Sequence, residues 1–171
     1  KTWFNDEKIF FLGKWCRDYK NETKIINLNH EFHNHHWEND NEILNKDCKY
    51  IRDLNVRLLD YICNNLVINQ NLKLKKEFWE TALSIWLSSF TTMLYDKWKI
   101  LQSFLKQNER YFTKIIKYEE NHFIPNNLEN YFRLRHTDIY NHYLFSEILI
   151  YHKLHNNYDL DFEIVKFDYL N

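Results

Sequence analysis

Apolar and polar positions along the chain follow two rhythms. From Ile43 to Leu66, the residues Leu44, Cys48, Ile51, Leu54, Leu58, Ile62 and Leu66 recur every three or four positions, which places them on one stripe of a helix. The period resumes at Leu74 and runs through Phe78, Ala82, Ile85, Ser89 and Met93 to about Leu105 without a glycine or proline, predicting a second, long helix. Trp79, Trp86, Phe90, Tyr95 and Trp98 widen its apolar surface, so both of its flanks need cover. Further on, Leu128 to Leu134 starts another helical pattern after the turn marked by Pro125. Thr137-Asp138 is a capping pair for a last helix through Tyr143, Leu144, Ile148 and Tyr151 to about Leu154.

The other rhythm is extended. Ile9-Phe10-Phe11-Leu12 is a short, unbroken apolar run ahead of Gly13, the pattern of a parallel strand buried on both faces. Lys24 to Leu28 is a weaker candidate, Tyr111 to Ile116 is β-branched and aromatic, and Phe162 to Phe167 alternates. Strands separated by helices predict a helix-rich α/β fold with a small, mostly parallel sheet, in a single domain over residues 1–171.

Composition narrows the function. One glycine and one proline in 171 residues exclude a phosphate-binding P-loop and a dinucleotide fingerprint, both of which need several glycines where backbone approaches phosphate. With 44% hydrophobic residues the chain can bury a core, so disorder is not the default. The 23 basic and 24 acidic residues leave a charge of -1, which argues against nucleic acid as a partner. No stretch reaches the roughly 18 apolar residues of a membrane helix. Cys16, Cys48 and Cys63 are scattered and odd in number, pointing to inert thiols in a reducing cytoplasm.

Four clusters could carry chemistry. Gly13-Lys14-Trp15-Cys16 stands at the carboxyl end of the first strand, where α/β folds collect ligands. Gly13 would serve the turn, Lys14 would contact an anion, and Trp15 would offer a flat face to a sugar or join the core. His30, His33, His35 and His36 crowd seven residues; a His30/His33 or His33/His35 pair could face one ion, or one ring could serve as a base, but the spacing matches no known ligand set and a solvated loop is the favoured reading. Asp96 lies among aromatics on the long helix and needs a partner, for which Arg52 or Arg57 are candidates. Asn141 and His142 are neighbours near a helix start that point to different faces.

Three blocks together resemble a known family. Ile9-Phe10-Phe11-Leu12-Gly13-Lys14-Trp15-Cys16 with His36-Trp37, then Phe78-Trp79 through Trp86-Leu87 to Leu94-Tyr95-Asp96-Lys97-Trp98, then Asp138-Ile139-Tyr140-Asn141-His142-Tyr143-Leu144 stand in the order of the leptospiral-type O-antigen transferases. Lys14 replaces an acidic residue that the family favours, and Tyr140 replaces a tryptophan. The resemblance implies the amino-terminal, acceptor-side half of a longer two-domain glycosyltransferase, inactive alone, in surface polysaccharide assembly, located in the cytoplasm, either free or peripheral to the inner membrane. It implies a glycan or lipid-linked acceptor and a nucleotide-linked sugar donor bound mostly by a further domain, with no cofactor in this one. His36 is then the expected general base, and Gly13, Lys14, Trp15, Trp37, Asp96, Asn141 and His142 the expected substrate contacts, with no metal ligand assigned. A non-catalytic helical interaction domain is the rival expectation, marked by an exposed aromatic patch on the long helix. A metal protein built on the histidine loop is the third.

Overall fold

A computed structural model describes residues 8–16, 27–38, 40–69, 74–107, 110–118, 122–156 and 158–166. Its elements in chain order are β1 (Ile9–Phe11), a single 3-10 turn at Lys14–Cys16, β2 (His30–Phe32), α1 (Asn41–Asn69), α2 (Lys76–Leu105), β3 (Tyr111–Lys117), α3 (Leu128–Leu134), α4 (Asp138–His155) and β4 (Leu160–Lys166). The four helices match the helical periods to within three residues at each end. The fold is a helix-rich α/β arrangement, as the pattern predicted.

The strands depart from expectation in how they are grouped. Among the described residues they form two separate parallel pairs, β1 with β2 and β3 with β4, rather than one sheet. Ile9 pairs with His30 and Phe11 with Phe32; Tyr111 pairs with Leu160 and Lys117 with Lys166. Parallel neighbours need a long crossover, and α3 and α4 supply it between β3 and β4. β1 is therefore half-buried instead of central. The strand expected at 24–28 is replaced by β2: Lys24 to Ile26 lie outside the described residues, and Asn27 and Leu28 form a turn. Phe167, the expected end of the last strand, also lies outside them.

Packing ties the pairs together. Phe104, Leu105, Tyr111 and Leu160 form one buried cluster, and Phe10 of β1 joins it, its ring edge-on to Phe104 and Tyr111 at 5.6 and 5.7 Å. α1 and α2 pack as an antiparallel hairpin, with Ile51 and Cys63 of α1 buried. Cys48, predicted to be inert on the same stripe, is exposed, whereas Asp47 beside it is buried. α3 is anchored on α2 by Tyr131, which is almost fully buried, stands edge-on to Trp86 and donates its hydroxyl to Ser89 Oγ at 3.3 Å. Thr137 caps α4 as predicted, its side chain accepting the Tyr140 N–H at 3.3 Å.

Candidate functional site

A cleft of about 860 Å³ opens between α2, the corner joining α3 to α4, and the loop after β2. Its size suits a small-molecule ligand. α2 contributes Ser84, Ser88, Ser89, Thr92 and Asp96, which face one way because they recur at helical spacing. The corner contributes Phe132, Arg135, His136 and Asn141, and the loop contributes Trp37.

The loop is held by Asp47. Trp37 Nε1–H donates to Asp47 Oδ2 at 3.0 Å, and Tyr95 O–H donates to Oδ1 at 2.7 Å. Asp47 is only 6% exposed. Burial alone would raise its pKa, but the hydrogen bonds from Tyr95 and Trp37 outweigh it and hold the carboxyl below its usual value. One carboxylate on α1 thus fixes the angle of the cleft tryptophan and ties it to α2.

Asp96 stands on the cleft wall, and its partner is a histidine rather than Arg52 or Arg57. Trp37 N–H donates to His35 Nδ1 at 3.2 Å, which leaves the ring proton on Nε2; that N–H donates to Asp96 Oδ1 at 2.9 Å. Arg52 instead lies beside Asp53 on the exposed side of α1. His36 stacks on His35 with ring centroids 4.5 Å apart. Its side chain is 7% exposed, its Nε2 lies 3.9 Å from Asp96 Oδ1, and neither ring nitrogen has a hydrogen-bond partner. Burial, and then neighbouring His35, lowers its pKa, so the ring is neutral near pH 7. The expected base therefore sits behind Asp96 rather than on the cleft wall.

At the other end, Arg135 supplies positive charge. Its Nη1 donates to Ser89 Oγ at 2.5 Å, its Nε donates to His136 Nε2 at 3.2 Å, and its guanidinium lies over the Phe132 ring at 4.8 Å. No carboxylate among the described residues forms an ion pair with it. Asn141 is pinned by its amide, which donates to Thr137 O at 2.9 Å and Arg135 O at 3.4 Å.

Of the residues singled out in the sequence, Trp37, Asp96 and Asn141 thus meet in one cleft and His36 lies directly behind it. Gly13, Lys14, Trp15 and His142 are elsewhere. Gly13 is buried and its backbone is not left-handed; a Cβ there would fall inside the Trp15 ring, so close approach, not the turn, requires glycine. Trp15 is 52% exposed and meets His35 edge-on, while Lys14 pairs with Glu38 at 3.4 Å in place of an external anion. His142 packs towards Tyr118 and carries Ser146 Oγ at 3.4 Å from its Nδ1, confirming that it and Asn141 face apart. His30 and His33 also separate: His30 donates from Nδ1 to Leu28 O at 2.8 Å and His33 binds Ser103 Oγ at 2.8 Å, so neither pairs with a histidine at a common point. Arg135 and Asp47 escaped the sequence analysis. The signal for Arg135 was its place in the two-residue corner before the Thr137 cap; Asp47 had none, since its burial depends on the approach of Trp37 and Tyr95.

Of the aromatic residues of α2, Phe104 is buried, Trp79, Trp86, Phe90, Tyr95 and Trp98 are half-buried, and Phe78 is 51% exposed and edge-on to Trp79. Trp86 stacks on Phe90 at 5.6 Å, and Trp98 lies against His152 at 4.4 Å. No helix among the described residues is long and apolar enough to cross a membrane. Neither a curated protein nor a solved structure matches the chain. The LIC12162 family transferases do match, over residues 1–168. The match spans β1 with its glycine turn, the cleft and β4 alike, and the chain belongs to the LIC12162 family of transferases.

Proposed function

We propose that the cleft binds the acceptor of a glycosyl transfer reaction in bacterial surface polysaccharide assembly. The observation that carries this is the meeting of Asp96, Arg135 and Asn141 with Trp37 and Phe132 in one cleft, from segments nearly a hundred residues apart. Hydroxyl-rich ligands are held by flat aromatic faces and by a few placed polar groups, and this cleft offers both. Asp96, oriented by the His35 N–H, accepts the proton of the acceptor hydroxyl as its oxygen attacks the anomeric carbon and the bond to the leaving phosphate breaks. Arg135 stabilises negative charge at the opposite end, on the phosphate of a lipid-linked acceptor or of the departing nucleotide. The nucleotide-linked donor is bound mainly by a further domain of a longer protein.

The test is release of nucleoside diphosphate by the full-length protein, supplied with a panel of nucleotide sugars and a lipid-linked acceptor. Asp96→Asn is expected to lower kcat about 100-fold or more with little change in KM, the range for loss of a general base. Arg135→Ala is expected chiefly to raise KM for the phosphorylated substrate. If Asp96→Asn turns over like wild type, the assignment of the cleft is wrong.

A further inference from the structure

We propose that His35, His36 and Asp96 together bind one divalent first-row transition-metal ion, of which zinc is the reference. Among the described residues this trio brings three ligand atoms, two imidazole nitrogens and a carboxylate oxygen, within 4.8 Å of one another.

The carrying observation is His36. A buried imidazole finds a hydrogen-bond partner in nearly all folded proteins, and an exception calls for an explanation. Here both nitrogens of a ring with 7% exposure have none, while Nε2 is aimed at Asp96 Oδ1 across 3.9 Å. That gap is too long for a hydrogen bond. It fits two ligands of a common ion, since atoms each about 2.0–2.1 Å from a tetrahedral zinc lie about 3.4 Å apart. His35 Nε2 is 2.9 Å from the same oxygen, and the three ligand atoms lie within 4.8 Å of one another, so a rotation of the two stacked rings that closes up to about 1.4 Å brings all three onto one centre.

The donor set selects the class of ion. Two imidazoles and one carboxylate suit zinc, cobalt or nickel, whereas calcium and magnesium prefer oxygen alone. Support from behind is present: Asp47, fixed by Trp37 and Tyr95, places a second negative charge near His36. Loading displaces the proton that His35 now shares with Asp96; neutral His35 then carries its proton on Nδ1 and gives up the hydrogen bond from Trp37 N–H. Three protein ligands would leave a position open, and Asp96 is the one of the three on the cleft wall.

Ion binding needs no substrate, so it stands or falls apart from glycosyl transfer. The experiment titrates zinc, and then cobalt, into the untagged full chain by calorimetry, with the cobalt absorption spectrum as a second readout. One ion per chain is expected, with visible cobalt bands of tetrahedral or five-coordinate intensity. His36→Gln and Asp96→Asn should each weaken binding about 100-fold or more, while His155→Ala, altering an exposed ring on α4, leaves it unchanged. Should either variant lose its fold by circular dichroism, histidine-nitrogen NMR of the wild-type chain decides: zinc must shift the His35 and His36 ring signals. Absence of binding, equal binding by His36→Gln, or shifts confined to other histidines overturns the proposal.

Discussion

Asp47 is the point at which stability and the cleft are coupled, and two substitutions separate the parts of its role. In Asp47→Ala both acceptors vanish, stranding Trp37 Nε1–H and Tyr95 O–H where Asp47 is 6% exposed. Each unsatisfied buried donor costs about 1–3 kcal/mol, and the Tyr95 hydroxyl can rotate to recover part of its share, so a loss of about 3 kcal/mol is expected. Asp47→Asn keeps a carbonyl for Trp37, and its amide can donate to the Tyr95 oxygen. Only the charge assistance is lost, about 1 kcal/mol. Urea unfolding at pH 7 should therefore rank wild type above Asn and Asn well above Ala. The pH dependence carries the sign. The folded-state pKa of Asp47 lies below its ordinary value of 3.8, so its contribution is present above that value and lost as pH falls through the folded-state value. The gap between wild type and Asp47→Asn should hold from about pH 5 to 8 and close in stronger acid. If Ala unfolds at the same urea concentration as Asn, or if the gap persists unchanged to about pH 2, the carboxylate does not hold the loop in the manner described.

Other consequences are as direct. Gly13→Ala should displace the half-exposed Trp15 ring from its place beside His35, giving a red-shifted tryptophan emission and a loss of about 1 kcal/mol; a larger loss would mean that the backbone itself needs glycine. Thiol titration of the native chain should find Cys48 fast, Cys16 slow because burial pushes its thiol pKa up, and Cys63 silent until unfolding; a fast Cys63 would contradict the packing of α1 on α2. Burial lowers the pKa of His33, His36, His142 and His152 below 6.5, so their contribution to stability is present above pH 6.5 and lost as pH falls from there towards the folded-state values. The urea midpoint should fall between pH 7 and 5, and a flat profile would refute the burial of these rings. Thr137→Ala should cost about 1 kcal/mol by removing the cap of α4, measured as a lowered Tm.

The local elements were legible because their causes are local. A helix needs only a periodic apolar stripe and an end signal, so α1 to α4 follow from spacing, from Pro125 and from the Thr137 cap. β1 and β3 follow from short runs of β-branched and aromatic residues. β2 did not, because His30-Glu31-Phe32 has no strand signal of its own and is extended only through pairing with β1. The family, too, could be reached from the order of its blocks along the chain.

Everything that makes the cleft a site was decided by tertiary structure. Which histidine meets Asp96 depends on where the loop after β2 crosses α2, and residues 35 and 96 are joined by the packing of α1 on α2 rather than by any spacing. Arg135 gains its importance from a two-residue corner that turns it towards Ser89, and Asp47 becomes buried only because Trp37 and Tyr95 close over it. Periodicity reports which face of an element is apolar; it carries no record of which polar groups on different elements are brought to one point, since that is set by the helix crossings and loop paths of the folded chain.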